Sequence, residues 1–105
     1  MLFMVVEHFA EGKASEIYRI AREEGRHLPE GLRYVDSWVA VSLDTCFQLM
    51  DCDDLTLMQE WVARWEGFGR FEVVPVTTSK ETFSLMERLA EDTRTMQPQV
   101  MPQFP

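Results

Sequence analysis

No asparagine occurs in the 105 residues, so the chain contains no N-glycosylation sequon. No apolar run approaches the roughly 18 residues that a membrane helix requires. The apolar opening stretch, Met1 to Phe9, reaches Glu7 and His8 with no leading Lys or Arg and no small-residue cleavage site. It reads as a strand rather than a targeting signal, which makes the cytoplasm the expected location. Basic residues are scarce, ten against eighteen acidic ones, for a net charge of -8. That excess repels polyphosphate and anionic membrane surfaces, so neither nucleic acid nor membrane is expected as a partner. Cysteine and histidine number two each. Cys46 and Cys52 fall on one strand-like run, where six residues at about 3.3 Å apiece hold them roughly 20 Å apart, beyond disulfide reach. Neither belongs to a CxxC pair, and His8 and His27 lack zinc spacing, so two reduced thiols and no metal or cofactor are expected. A nucleotide-binding loop, a nucleophile elbow, an HExxH motif and internal repeats are all missing.

What is present is enough for one domain with a real core, since 46% of the residues are hydrophobic. Leu2 to Phe9 is rich in β-branched and aromatic residues, and Glu11-Gly12 ends it as a first strand. Ala14, Ile17, Tyr18 and Ala21 then recur at helical spacing, with Gly25 as the stop. Leu32 to Val41 and Thr45 to Cys52 are strand-like and separated by only Ser42-Leu43-Asp44, which predicts an antiparallel hairpin. Asp53 or Asp54 caps a second helix carrying Met58, Trp61, Val62 and Trp65 on one stripe. Phe71 to Thr77 is a fourth strand, and Pro75, which has no ladder donor, assigns it to a sheet edge. Thr78-Ser79-Lys80-Glu81 has the form of a capping box for a third helix, whose pattern dissolves from Asp92 onward. Residues 1–92 are therefore read as the domain and 93–105 as a Pro-, Gln- and Met-rich tail whose Met96, Val100, Met101 and Phe104 are apolar enough to pack on something.

The order βαββαβ with a central hairpin is the ferredoxin-like, α+β arrangement: an antiparallel sheet with two helices on one face, here followed by a C-terminal helix. Leu2 to Val6 and Val73 to Val76 contain no polar residue, so both sheet faces are expected to be covered. The two crossover helices cover one face. A second copy of the chain covers the other in a homodimer of the dimeric α/β-barrel kind, the alternative cover being the chain's own third helix and tail.

Polar residues inside the strands are the natural candidates for a ligand site in a cleft between sheet and helices. Strand alternation puts Tyr34, Asp36 and Trp38 on one face, a carboxylate between two rings, and Asp36 ranks first because burial there would raise its pKa. Neighbouring Glu7 and His8 must point to opposite faces, so they cannot act as an acid/base pair in one pocket. His8 is the candidate base or ligand of the two, Glu7 being expected to be solvated or paired. Gln48 shares a central-strand face with Cys46, and a buried Gln needs a partner that a ligand could supply. Trp61 and Trp65 are read as core. Arg19, Arg22, Arg26, His27 and Arg33 form the one basic concentration. It suits either an anionic ligand or a solvated face in which Glu23 pairs with Arg19 or Arg26.

The stretches MLFMVVEHF, GRHLPEGLRYVDSWV, CFQLMDCDD, WVARW and FEVVPV resemble the small bacterial family known as domain of unknown function 3303, over about Met1 to Ser79. The resemblance implies a ferredoxin-like fold akin to dimeric α/β barrels and carries no activity onto any residue. Two readings of function follow. In one, the sheet-helix cleft binds or transforms a small apolar or aromatic molecule that Asp36, His8 and Gln48 orient. In the other, the protein is a non-enzymatic dimeric accessory or sensor module whose cleft is filled by its own aromatics. An open or a filled cleft separates them.

Overall fold

A computed structural model describes residues 1–95. The chain runs β1 (Leu2–Phe9), α1 (Ala14–Glu24), β2 (Arg33–Val39), β3 (Thr45–Asp51), α2 (Leu55–Arg64), β4 (Gly69–Val76) and α3 (Ser79–Thr95). The sheet order is β2-β3-β1-β4, with every neighbouring pair antiparallel. This is the expected α+β ferredoxin-like plan, and Pro75 sits on the edge strand β4, where its missing donor is tolerated. Helix α3 continues past Asp92 to Thr95, so it crosses the boundary at which its apolar pattern fades. The tail residues Met96, Val100, Met101 and Phe104 lie outside the described residues. Among the described residues no helix is long and apolar enough to cross a membrane.

Strand β1 sets the two faces of the sheet. Phe3, Val5 and Glu7 alternate into the interior. Their register partners Met50, Gln48 and Cys46 on β3 share that face, because directly opposed residues of an antiparallel pair point the same way. Above this surface α2 contributes Met58 and Trp61, α1 contributes Ile17, and Leu32, Cys52 and Trp65 complete the core. Helix α2 begins at Asp54, whose carboxylate accepts from the Thr56 N–H at 2.9 Å and the Thr56 hydroxyl at 2.7 Å. Helix α1 has no side-chain cap at Lys13. It ends at Gly25, whose φ of 81° suits glycine and whose N–H donates to the Ala21 carbonyl at 3.0 Å.

Strand β2 departs from simple alternation. Tyr34 opposes Met50 and Asp36 opposes Leu49, leaving Val35 as an extra, unpaired residue in a bulge. One inserted residue reverses the facing of everything after it. Tyr34 therefore faces the helices with Ser37 and Val39, whereas Asp36 and Trp38 face the other way with Leu49 and Phe47. The expected common face of Tyr34, Asp36 and Trp38 does not exist.

The face away from α1 and α2 carries Met4 and Val6 of β1, Phe47 and Leu49 of β3, Trp38 of β2 and Val74 of β4. Trp38 is 51% exposed, Val74 45% and Phe47 37%. Charged groups stand at its two ends: His8, Arg70 and Glu72 at one, Arg33, Asp51 and the N-terminal ammonium at the other. Helix α3 does not cover this surface. It starts with the expected threonine, whose hydroxyl oxygen accepts from the Glu81 N–H at 3.1 Å and donates to the Glu81 carboxylate at 2.9 Å. Every position from Ser79 to Arg94 is nonetheless exposed, Phe83 and Met86 included.

Since α2 carries Met58 and Trp61 into the core, its cap supports the whole layer. Asp54→Ala is expected to lower stability by about 1 kcal/mol, read as a lower urea midpoint at unchanged slope.

Candidate functional site

Between α1 and the sheet lies a cavity of ≈ 340 Å³. Its floor is Glu7 and Phe9 of β1, Ser37 and Val39 of β2, and Cys46 and Gln48 of β3; its roof is Ile17, Tyr18, Ala21 and Arg22 of α1. Trp61, Trp65 and Arg26 close one side. The cavity exists because the floor ends in small and polar side chains where the neighbouring core has Phe3, Val5 and Met50, and because α1 places Ala21 opposite them.

Glu7 lies on this floor and is only 9% exposed. Gln48 donates its amide N–H to Glu7 Oε1, and Arg26 Nε donates to Gln48 Oε1 at 3.3 Å, so the three form a chain from guanidinium to carboxyl. The second oxygen, Oε2, has no hydrogen-bond partner among the described residues, and Glu7 lines the cavity. Burial pushes the Glu7 carboxyl up to about 7, against the opposing pull of the Gln48 hydrogen bond and the Arg26 charge. Burial also pushes the Cys46 thiol up to about 11, with the Glu7 charge adding to the effect, and raises Tyr18 for the same reasons. Cys46 and Tyr18 thus stay protonated near neutrality, leaving Glu7 as the cavity carboxyl that can exchange a proton there.

Arg26 is fixed from several directions. The indole N–H groups of Trp61 and Trp65 both donate to its backbone carbonyl, at 2.9 and 3.0 Å. Its guanidinium carbon sits 3.7 Å from the centroid of the Tyr34 ring, a cation–π stack. The Tyr34 hydroxyl in turn lies 2.6 Å from Ser37 Oγ. Arg19 pairs with Glu23 at 3.0 Å, and Arg33 with Asp51 at 3.1 Å. Among the described residues Arg22 and Arg26 form no such pair with a carboxylate, and both border the cavity.

The sequence candidates divide between the two faces. Gln48 lines the cavity, and Tyr34 faces the same side as the support of Arg26. Asp36, Trp38 and His8 lie on the opposite face. The bulge turns Asp36 and Trp38 away, and Asp36 is exposed and accepts from the Ser37 N–H at 2.8 Å rather than being buried between two rings. His8 contacts Glu72 at 3.0 Å on the open face. Glu7 is paired, with Gln48, but it is not solvated: it is the buried member of the Glu7–His8 pair. Its signal was already in the sequence, for Glu7 continues the alternation of Phe3 and Val5. Arg26, in a loop, offered no periodicity to place it. Trp61 and Trp65 are core, as read, and wall the cavity as well. Cys46 and Cys52 are both buried free thiols.

The model of domain of unknown function 3303 matches residues 1–90, and the chain belongs to that family. No curated protein and no solved structure matches it.

A Glu7→Gln substitution isolates the effect of the buried carboxyl. The folded value of about 7 lies above the ordinary value of 4.5, so the neutral carboxyl favours folding below pH 4.5. That contribution is lost as pH rises through about 7, and the full span is worth roughly 3 kcal/mol. The Gln variant is therefore expected to gain stability over the wild type between pH 5 and pH 8, measured by urea unfolding at both. An equal difference at the two pH values would show that Glu7 does not titrate in this range.

Proposed function

We propose that this member of the family binds a small, largely apolar aromatic molecule in the cleft between α1 and the sheet. The observation that carries the reading is a cavity of ≈ 340 Å³ that is walled by aromatic side chains and holds a buried carboxyl with one oxygen free. Cavities of roughly 300 Å³ and above, mostly apolar with a few convergent polar groups, are the usual form of small-molecule sites. Glu7 is the group through which any proton transfer in the cleft would run, with Gln48 holding it and Arg26 balancing its charge. A non-enzymatic module filled by its own aromatics would need neither the empty volume nor the cost of burying Glu7, and both features weigh against it. The cytoplasmic setting is part of the proposal and is supported by the two unbridged thiols.

The acting unit is proposed to be a homodimer joined through the open sheet face. Met4, Val6, Trp38, Phe47, Leu49 and Val74 make an apolar centre between charged ends, the layout of a self-complementary interface, and the chain's own α3 leaves it bare. Sedimentation at micromolar concentration is expected to give a dimer, and Phe47→Glu a monomer. A wild-type protein that sediments as a monomer would remove the interface.

For the cleft, a thermal-shift screen of small aromatic molecules is expected to yield compounds that raise the Tm. Ala21→Trp, which fills the cavity from the roof, should abolish their effect, and Asp36→Asn should leave it unchanged. Compounds that stabilise the Ala21→Trp protein as strongly as the wild type would place binding elsewhere.

A further inference from the structure

Two cations on the wall of the cleft make no direct ion pair among the described residues, and the carboxyl whose charge acts on Arg26, Glu7, is neutral in the acid arm of the physiological range. In a protein of net charge -8, Arg19, Arg33, Arg64, Arg70 and Arg94 each pair with a carboxylate. Arg22, Arg26, Lys80 and Arg88 do not among the described residues, and of these four Arg22 and Arg26 stand on the wall of the cleft. Arg26 is also held in place, by the stack on Tyr34 and by two indole donors on its carbonyl. A guanidinium fixed in this way at the edge of an aromatic cavity is a preset partner for an anionic group, since its planar donors match a carboxylate.

Resting on the cleft reading above, we propose that the ligand is an aromatic acid, its ring against Tyr18, Trp61 and Trp65, and its carboxylate held by Arg22 and Arg26. A neutral aromatic molecule would leave Arg22 without an ion pair and Arg26 without a directly bonded carboxylate, and an aromatic amine would be repelled by both. Glu7 is the one group in the cleft that opposes such a ligand. The groups that face it are Tyr18 and Arg22 from α1, Arg26 from the following loop and Cys46 and Gln48 from β3, whereas α2 and the residue after it offer only the indoles of Trp61 and Trp65; His8 is on the far side of the sheet. Because burial holds the Glu7 carboxyl near 7, it is neutral in the acid arm of the physiological range, where it can present an O–H to the ligand. Above that range it becomes a second anion beside the first. Affinity for the acid is then expected to fall as pH rises, while affinity for a neutral isostere does not.

Calorimetry with 2-naphthoate and its neutral counterpart 2-naphthalenemethanol, at pH 6 and pH 9 in low salt, tests this on the full chain. At pH 6 the acid should bind at least tenfold more tightly than the alcohol. Arg22→Gln should erase most of that preference, and Arg22 makes no hydrogen bond within the described chain that the substitution could break. From pH 6 to pH 9 the wild type should lose tenfold or more in affinity for the acid, and Glu7→Gln should bind it equally at both. If the alcohol binds as tightly as the acid, or 2-naphthylmethylamine more tightly, the acid assignment is overturned and the cleft reading stands. If none of the three binds, both are overturned.

Discussion

The register between β1 and β3 governs the rest of this molecule. Once Val5 lies opposite Gln48 and Glu7 opposite Cys46, the two central strands send Phe3, Val5 and Met50 into the core and carry Glu7 and Gln48 inward with them. A slip of one residue would expose the whole apolar set, so burial of the three hydrophobic residues fixes the pairing, and the pairing imposes burial on the carboxyl. Glu7 is thus not buried by its own preference. The hydrophobic pattern of its strand pulls it in, and Gln48 and Arg26 offset part of the desolvation.

Where local pattern governs, the sequence was legible. The strands, the β2-β3 hairpin, the stripes of α1 and α2, the edge position of β4 and the threonine that opens α3 all follow from periodicity, turn residues and capping chemistry. Of the five site candidates, Gln48 lies on the cavity floor, where its place on a buried face of a central strand was legible, and Tyr34 supports Arg26 beside it. What escaped was a single extra residue. Val35 carries no mark of a bulge, being β-branched and a good strand former, yet its insertion sends Asp36 and Trp38 to the other face. The misplacement of Asp36 is therefore an error of phase, not of element. Arg26 escaped for a different reason: it reaches the cleft from a loop whose course is set by hydrogen bonds from Trp61 of α2 and Trp65 just after it, 35 and 39 residues away in sequence.

The sheet serves different purposes on its two sides at the same strands. Along β1, Val6 and Glu7 are neighbours, one on the bare apolar face and the other on the cavity floor; along β3, Phe47 and Cys46 repeat the arrangement. The open surface is apolar and bounded by charge, whereas the covered surface holds the cavity and ends in polar groups.

The paired indole donors on the Arg26 carbonyl have a consequence of their own. Trp61 and Trp65 are core residues, and their N–H groups would be costly to bury unbonded, so the folding of the core requires an acceptor at that point of the loop. The backbone of Arg26 is positioned when the protein folds, before any ligand arrives, and the Tyr34 ring restricts the side chain further. Ordering a free arginine at a binding surface costs on the order of 1 kcal/mol. Here most of that ordering is completed in advance, so the cleft presents a rigid charge whose geometry, not merely its sign, selects what enters.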